Sequence, residues 1–369
     1  MALITPVEVA EKIIALLDSA RYSTTYKLAT LDAIIQVVTQ STGPDGKAPS
    51  TISAKAVGTK VLEIYWRQSV PFCQDIGGSP RYLRQSSVAD IPFLIAEYRS
   101  QKNLFAHNDS ITSARQVDPV GLASLEKKIQ ARVIAMPIPK LQNFNNGETI
   151  EDQFLYTYGW RDEVSASIVE QHSFDDAMLL KPGIGEALIK IQILLKPYIE
   201  NLWIQRVADQ NKDITDAGKL KEFLFGFDRT SLFKIRPHLI DLQSDRCFYC
   251  AEILGSQVDV DHFLPFSKHG DDSLDNLVVS CRQCNSSKSD SYASLGHLSK
   301  WSTRFNLNTA DWLAHERLHI DVPWPRDSLA VLAKARSVYL FKSDGSVLWD
   351  RSEGMVGLIR ADAHLVLNS

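Results

Sequence analysis

The chain has 369 residues, 44% of them hydrophobic, and a formal net charge of −4 at pH 7. This composition predicts a globular chain of two or three domains with ample apolar side chains for a core. No run of about 20 apolar residues is present and the start MALITPVEVAEK has no apolar signal region, so we expect no membrane span, no secretion and a reducing cytoplasm.

The first part of the chain has the pattern of a helical domain. A capping box at Thr5 to Glu8, with Pro6 at the first helical position, predicts a helix to about Leu17. Apolar periodicity predicts further helices at 26–40, 53–67, 91–100, 120–134, 150–158 and 186–210, with loops at 41–50 and 137–147. The first three helices followed by 81–84 suit either a winged-helix DNA reader or plain helical packing, which the pattern favours.

Four of the five cysteines lie within one short segment. Two C-x-x-C pairs, made by Cys247 with Cys250 and by Cys281 with Cys284, are separated by 30 residues. Such pairs bind tetrahedral zinc through thiolates, and a closed four-thiolate site is structural because no position is left for water or substrate. Disulfides or buried thiols are the alternatives, and the expected reducing compartment favours zinc. The fifth cysteine, Cys73, we interpret as an ordinary thiol.

Between the two cysteine pairs stand residues suited to hydrolysis assisted by a hard cation. Asp261 and His262 end a predicted strand that begins at Val258, a second strand is predicted at 277–280, and a helix is predicted at 282–290. Asp261 offers a carboxylate and Asn285 an amide oxygen, the ligands that Mg²⁺ or Mn²⁺ prefers. His262 has an imidazole that can take a proton from water. The set predicts phosphodiester hydrolysis.

The sequence of this segment resembles the four-cysteine form of the HNH endonuclease family. The resemblance is carried by CFYC, then DVDHFLPFS, then DDSLDNLVVSCRQCNSSKSD, over about 45 residues. It implies a ββα-metal fold, a nucleic-acid substrate and a mechanism that uses one cation. It also implies that His262 is the general base, that Asp261 and Asn285 hold the divalent ion, and that Asn276 holds the loop that orients His262. Asn285 stands where a third histidine could, which makes this an H-N-N variant.

Several neighbouring residues have two interpretations. Asp259 alternates with Asp261 along the strand, so it is either an auxiliary ligand or, as the pattern favours, a partner of the ligands. Arg282 and Lys288 are candidates for nucleic-acid phosphate contact, or else belong to an ordinary solvated helix face. The run His315-Glu316-Arg317-Leu318-His319 matches the zinc-protease pattern H-E-x-x-H, which we interpret as a coincidence because prolines follow almost at once.

The negative charge is concentrated in the cysteine-rich segment. Residues 245–290 contain eight acidic and four basic residues, a balance of −4. Binding to a nucleic acid must therefore depend on basic faces elsewhere. The candidates, for each of which a solvated surface is an equal alternative, are Arg81, Arg84, Lys127, Lys128, Arg132, Arg229, Lys234, Arg236 and Arg246.

Together these patterns predict a mainly α N-terminal region plus a small α+β HNH zinc module. The expected domains are a helical target-selection or regulatory region at 1–235, a nuclease domain at 240–295, and an extension at 296–369 with short helices and a hairpin of strands 338–341 and 347–349. We expect a metal-dependent endonuclease with structural Zn²⁺ and catalytic Mg²⁺ or Mn²⁺, acting on double-stranded DNA as a possible homodimer in restriction or anti-phage defence. The alternative is a non-catalytic zinc module that binds nucleic acid or a protein partner.

Overall fold

The computed structural model divides the chain into two compact units. It describes residues 4–19, 25–74, 80–85, 90–105, 109–145, 149–151, 153–161, 164–213, 216–226, 229–306, 309–322 and 324–368. Unit 1 consists of residues 1–39 and 48–226, and unit 2 of residues 40–47 and 227–369. Within the described residues, no helix is long and apolar enough to cross a membrane.

Unit 1 is mainly helical, as its periodicity predicts. Its helices are α1 Pro6–Ser19, α2 Tyr26–Gln40, α3 Ala54–Gln68, α4 Ile91–Gln101, α5 Ile111–Val117, α6 Pro119–Ala135, α7 Pro137–Leu141, α8 Ala166–Val169, α9 Ile184–Gln210 and α10 Ala217–Phe225. Helix α1 begins with the predicted capping box, in which Thr5 Oγ1 accepts a hydrogen bond from the Glu8 backbone N–H at 3.2 Å. Helix α3 packs on α6, and α1 packs on α9.

The close packing of α3 on α6 depends on a glycine. A Cβ added at Gly58 would lie 2.7 Å from the Cα of Gln130 in α6, nearer than real contacts allow. Beside this contact, Gln130 Nε2 donates to Thr59 Oγ1 at 3.0 Å, and Thr59 Oγ1 donates to Glu126 at 2.6 Å. The absence of a side chain at position 58 therefore lets the two helices approach closely enough for polar side chains to join them.

Unit 1 also contains short strands that the helical pattern did not predict. They are β1 Thr51–Ser53, β2 Cys73–Gln74, β3 Pro80–Arg81, β4 Asn143–Asn145, β5 Thr149–Glu151, β6 Tyr156–Tyr158 and β7 Ala177–Leu180. Strand β7 lies between β1 and β6, antiparallel to both, with Leu179 opposite Thr51 on one side and Thr157 on the other.

Two sequence predictions in this unit are wrong. The segment 150–158 holds parts of two strands, β5 and β6, rather than a helix, because its β-branched and aromatic residues fit a pleated sheet better than a helical face. The expected loop at 137–147 begins with a helix, α7, since Pro137 occupies the first turn, where its missing N–H costs nothing.

Unit 2 contains the cysteine-rich segment and the elements around it. They are α11 Arg229–Leu242, β8 Val258–His262, α12 Phe266–His269, a 3₁₀ turn Leu274–Asn276, β9 Leu277–Cys281, α13 Arg282–Lys288, α14 Leu295–Ser302, a 3₁₀ turn Thr303–Phe305, α15 Ala310–Asp321, α16 Ser328–Tyr339, β10 Val347–Asp350, β11 Gly354–Gly357 and α17 Arg360–Asn368. A mainly helical N-terminal region and a small α+β module are therefore both present, and the predicted fold class is confirmed.

The centre of unit 2 is the antiparallel pair of β8 and β9. Asp261 lies opposite Val278, and His262 opposite Leu277. Leu232, Ile235 and Leu239 of α11 form an apolar cluster with Leu277 and Val279 of β9, against which Val258 and Val260 of β8 pack. Because side chains alternate along a strand, this packing leaves Asp259 and Asp261 on the face of β8 away from α11.

The predicted C-terminal hairpin is placed differently in the chain. Residues 338 and 339 end α16, an alanine-rich helix, so the expected first strand at 338–341 is wrong. The hairpin that forms pairs β10 with β11, with Leu348 opposite Val356. Its turn ends at Gly354, whose φ of +81° suits glycine.

Candidate active site and zinc centre

The four clustered cysteines form a group that can hold one metal ion. Their Sγ atoms all lie within 4.8 Å of one another, and Cys247 and Cys284 are buried. None of them is in a disulfide, and the Cys250 and Cys281 sulfurs are 4.0 Å apart. Four thiolates about 2.3 Å from a central ion in a tetrahedron give separations of this size. The donor set therefore fits a structural zinc ion.

This cysteine group joins two separate parts of the module. Cys247 and Cys250 lie in a turn closed by a hydrogen bond from the Ala251 N–H to the Cys247 carbonyl oxygen at 3.0 Å. Cys281 ends β9, and Cys284 lies in the first turn of α13. A bound zinc ion would therefore hold the start of α13 in place, and Asn285 with it.

Two cations from the C-terminal part of the chain face the cysteine group. Lys300 of α14 donates to the Phe248 carbonyl oxygen at 2.5 Å and lies over the Phe248 ring. The thiolate charge of Cys284 raises the pKa of Arg351, which also donates to Gln283 at 3.4 Å. A zinc ion with four thiolates carries a net charge of about −2, so these cations have the sign needed to offset it.

The carboxylate of Asp261 is held by two buried side chains. Tyr249 donates its hydroxyl to Asp261 Oδ2 at 2.5 Å, and Lys288 Nζ lies 3.0 Å from the same oxygen. Burial raises the pKa of the Tyr249 phenol, and the nearby Asp261 charge raises it further, so the hydroxyl keeps its proton. Lys288 also donates to the His262 carbonyl oxygen at 2.9 Å, which ties the end of α13 to the end of β8.

The amide of Asn285 is oriented by Asp259. Asn285 Nδ2 donates to Asp259 Oδ2 at 3.2 Å. Because an ionised carboxylate only accepts hydrogen bonds, this contact fixes which end of the amide faces Asp259 and turns the amide oxygen away from it. Of the two interpretations of Asp259, the geometry favours a partner of Asn285.

The ring of His262 contacts a carboxylate that the sequence did not single out. His262 Nε2 lies 3.2 Å from Asp272 Oδ1, and the ring packs on Phe266 with centroids 5.2 Å apart. The side chain of His262 is 9% exposed and that of Asp272 is 30% exposed. The imidazole is thus largely enclosed, and its Nε2 lies against a carboxylate.

Asn276 fixes the backbone that follows His262. Its side chain accepts from the Leu264 N–H at 2.8 Å and donates to the carbonyl oxygens of Leu264 and Asp271, both at 2.9 Å. Its own carbonyl oxygen accepts from the Phe263 N–H at 2.8 Å. The residue is fully buried, so these bonds replace those that water would otherwise make.

The model of the HNH endonuclease family matches residues 244–294. This segment is of the HNH type. The prediction made from its cysteines, Asp261-His262 and Asn285 is therefore confirmed at the level of the family. The family implies a nuclease activity and a nucleic-acid substrate. No curated protein and no solved structure matches the chain. Residues 244–294 are called the HNH segment below.

The two basic candidates of the HNH segment have different environments. Arg282 is exposed at the start of α13, so its side chain is open to a phosphate. Lys288 is fully buried and paired with Asp261. A phosphate contact at Lys288 is therefore not supported, and its ammonium instead compensates the Asp261 charge.

We expect Lys288→Met to destabilise the protein strongly. The substitution removes the buried counter-charge of Asp261, and breaking a buried ion pair in this way costs about 3–5 kcal/mol. The free energy of unfolding from urea titration measures the loss. Arg282→Met is the matched control, an exposed cation of the same helix, and should change that free energy by less than about 0.5 kcal/mol. Equal losses of unfolding free energy in the two variants would contradict the role of Lys288 as the buried counter-charge of Asp261.

The loop that carries Asp272 is braced by residues beyond the HNH segment. Lys334 of α16 pairs with Asp271 at 2.6 Å, and Arg326 pairs with Asp275 at 3.1 Å. Trp324 Nε1 donates to the Asp272 carbonyl oxygen at 2.7 Å. No sequence motif identifies these partners, because they are ordinary residue types about 50 to 60 positions away from the loop along the chain. The structural module therefore extends past residue 294.

The Asp271–Lys334 pair predicts that the free energy of unfolding depends on pH. Burial alone would raise the pKa of Asp271, but Lys334 and hydrogen bonds from Ser273 outweigh it and hold that pKa well below its usual range. A carboxyl with a lowered folded pKa stabilises the protein above its unfolded pKa of about 4 and loses this contribution as pH falls. The gap in unfolding free energy between wild type and Lys334→Met should therefore narrow below about pH 4.

Chemical denaturation at a series of pH values measures this gap. Lys342→Met is the control. Whereas Lys334 pairs with a carboxylate, the Lys342 ammonium lies over an aromatic ring, that of Tyr292, 4.6 Å from its centroid. Its difference from wild type should stay constant over the same pH range. A gap for Lys334→Met that is equally constant would contradict the pairing.

The residues of the H-E-x-x-H pattern make structural contacts. His315 Nδ1 lies 2.7 Å from the Asp311 carbonyl oxygen, and His319 Nδ1 lies 2.7 Å from the Trp324 carbonyl oxygen. Glu316 pairs with Arg326. Burial, with the nearby Arg304 charge, lowers the pKa of His315 to about 3. These contacts support the interpretation that the zinc-protease pattern is a coincidence.

Proposed function

We propose that the chain is a metal-dependent endonuclease that hydrolyses phosphodiester bonds of double-stranded DNA. The proposal rests chiefly on one observation, that Asp261 and His262 end β8 where Lys288 of α13 joins both of them. Asn285 lies on the same short helix, one residue after a cysteine of the zinc group. A purely structural zinc module has no need of a base beside two hard ligands.

The donor atoms of Asp261 and Asn285 suit Mg²⁺ or Mn²⁺. A carboxylate has about four lone-pair positions, so Asp261 keeps accepting capacity beyond its bonds with Tyr249 and Lys288. Asp259 turns the Asn285 oxygen away from itself. These two residues would hold the cation. When bound, it would stabilise negative charge on the scissile phosphate and on the leaving 3′ oxygen.

The remaining steps belong to the residues of the chain. His262 takes a proton from the attacking water, which makes the water a better nucleophile. Lys288 holds the His262 carbonyl oxygen and Asn276 holds the backbone at Leu264, and both contacts limit the movement of the ring. Arg282, exposed on α13, is the proposed phosphate contact of the HNH segment.

Capture of the DNA is assigned to surfaces outside the acidic motif. Residues 245–290 carry −4, which repels a polyanion. Lys234 is exposed on α11, where Phe233 and Arg236 lie against each other. We propose that such basic faces bind the backbone, that the helical region 1–235 selects or regulates the target, and that 296–369 completes the nuclease module.

The setting of this activity is also part of the proposal. One chain has one HNH segment, so a double-strand break needs two chains or two successive nicks, and a homodimer would supply the two sites. Thiols that are free to bind zinc suit the cytoplasm. A role in restriction or anti-phage defence is proposed by analogy with other nucleases that contain an HNH segment.

Incubation of the purified, zinc-loaded protein with nucleic acids tests the proposal. Supercoiled plasmid, modified phage DNA and RNA would each be treated in Mg²⁺, Mn²⁺ or EDTA, and products separated on gels. We expect nicked or linear plasmid with the divalent ions and intact plasmid in EDTA. Cleavage of RNA alone would correct the substrate. Intact nucleic acid under every condition, with binding retained, would instead support the non-catalytic zinc module.

A further inference from the structure

The carboxylate of Asp272 has the geometry of an orienting group for an imidazole. Its Oδ1 lies 3.2 Å from His262 Nε2. An ionised carboxylate only accepts, so the hydrogen of a neutral ring in this contact is on Nε2 and the lone pair is on Nδ1. The Phe266 ring, tilted by 48° to the imidazole, restricts its rotation. The contact therefore selects both a tautomer and a ring orientation.

The position of Asp272 is itself fixed from both sides in the chain. The preceding residue, Asp271, pairs with Lys334, and the Leu274 N–H donates to the Pro325 carbonyl oxygen at 2.8 Å. The Asp272 carbonyl oxygen accepts from Trp324 Nε1 at 2.7 Å. The loop is held at residues 271, 272 and 274, so the backbone that carries the Asp272 carboxylate has little freedom. Such a carboxylate can orient a partner.

We propose that Asp272 is a positioning residue for His262, a proposal that rests on the proposed function. It holds the Nε2–H tautomer, so that the proton taken from water goes to Nδ1. Asp272 does not touch the substrate or the reacting atoms. The residues that brace it, 324–334, lie outside the HNH segment, which makes the C-terminal extension part of the catalytic module.

The ¹⁵N signals of the His262 ring test this directly and without any nuclease assay. Protein labelled at histidine, loaded with zinc and free of other divalent ions, would be measured at about pH 8, where an ordinary imidazole is neutral. His262→Ala identifies the signals of His262 by their loss. We expect a protonated Nε2 and an unprotonated Nδ1 in the wild type. An Nδ1–H tautomer in the wild type overturns the proposal, whatever the variants do.

Asp272→Ala provides the second measurement. Without the acceptor, the ring should populate both tautomers, and kcat should fall by about 10- to 100-fold, as when other orienting partners of functional imidazoles are removed, with KM changed less than about twofold. Asp290→Ala is the matched control, since it removes an equal charge from an exposed carboxylate paired with Lys268. It should leave both the tautomer and kcat unchanged. Thermal unfolding and zinc content verify that both variants are folded.

The outcomes separate this proposal from the proposed function. A wild type that cuts DNA, with an Asp272→Ala variant that cuts equally well, overturns the positioning role and leaves the nuclease in place. A wild type that shows the Nε2–H tautomer but cuts no nucleic acid overturns the nuclease, and with it the catalytic meaning of the contact. Loss of kcat together with loss of the single tautomer supports both.

Discussion

We expect His262→Ala to abolish plasmid nicking in Mg²⁺ or Mn²⁺ while the protein keeps its zinc. The substitution removes the only imidazole of the Asp261-His262 pair, and positioned general bases contribute about 10²–10⁴-fold to rate. The zinc ligands should be unaffected, because the four clustered cysteines do not include His262, whose ring contacts Asp272 and Phe266. Nicking rates from gels and zinc content from mass spectrometry measure the two quantities together.

A second histidine provides the control for this result. His364 is exposed on α17, and His364→Ala removes an imidazole from the same unit. Its nicking rate should stay within about twofold of wild type, because surface substitutions away from a site are close to neutral. Undiminished cleavage by His262→Ala would rule out the proposed mechanism, and loss of zinc from that variant would point to a folding defect instead.

Cys284→Ser is expected to release the zinc ion and unfold the module around it. Cys284 is fully buried in the first turn of α13, and a serine hydroxyl is a poor zinc ligand. Structural zinc supplies on the order of 10 kcal/mol to the folding of small modules, so losing it exceeds the usual stability of a domain. Nicking should disappear as well, since α13 carries Asn285 and Lys288.

The fifth cysteine is the matched control for this variant. Cys73 is an exposed free thiol outside the metal-binding group. Cys73→Ser should keep the zinc content, the unfolding midpoint and the nicking rate of the wild type. If Cys284→Ser keeps its zinc and its unfolding midpoint, the cysteine group is not a structural zinc site.

Local patterns were reliable where one element decides its own structure. The capping box at Thr5 started a helix, and α9 followed its apolar periodicity through Pro197. The spacing of Cys247, Cys250, Cys281 and Cys284 predicted a group that the structure brings together. Chain spacing is informative in these cases because the helix and the zinc knuckle each restrict which residues can meet.

Prediction was wrong where a competing element decided the outcome. The apolar residues of 150–158 are spaced in a way that suits either a helix or a strand, and β6 pairs with β7 through residues about 20 positions later in the chain. The hairpin near the C-terminus was shifted because residues 338 and 339 complete α16. The sequence of a short segment does not indicate which distant element it will pair with.

By itself, the sequence determined the chemistry of the module: a set of four thiolates, an Asp-His pair and an asparagine suited to a hard cation. Only the tertiary structure decided which side chains support that set. It buried Lys288 against Asp261, set Asp272 beside His262, and brought Lys334 to Asp271 from 63 positions away. The physical reason is that ligand types and spacing are local properties, whereas burial and charge pairing depend on distant residues that folding brings into contact.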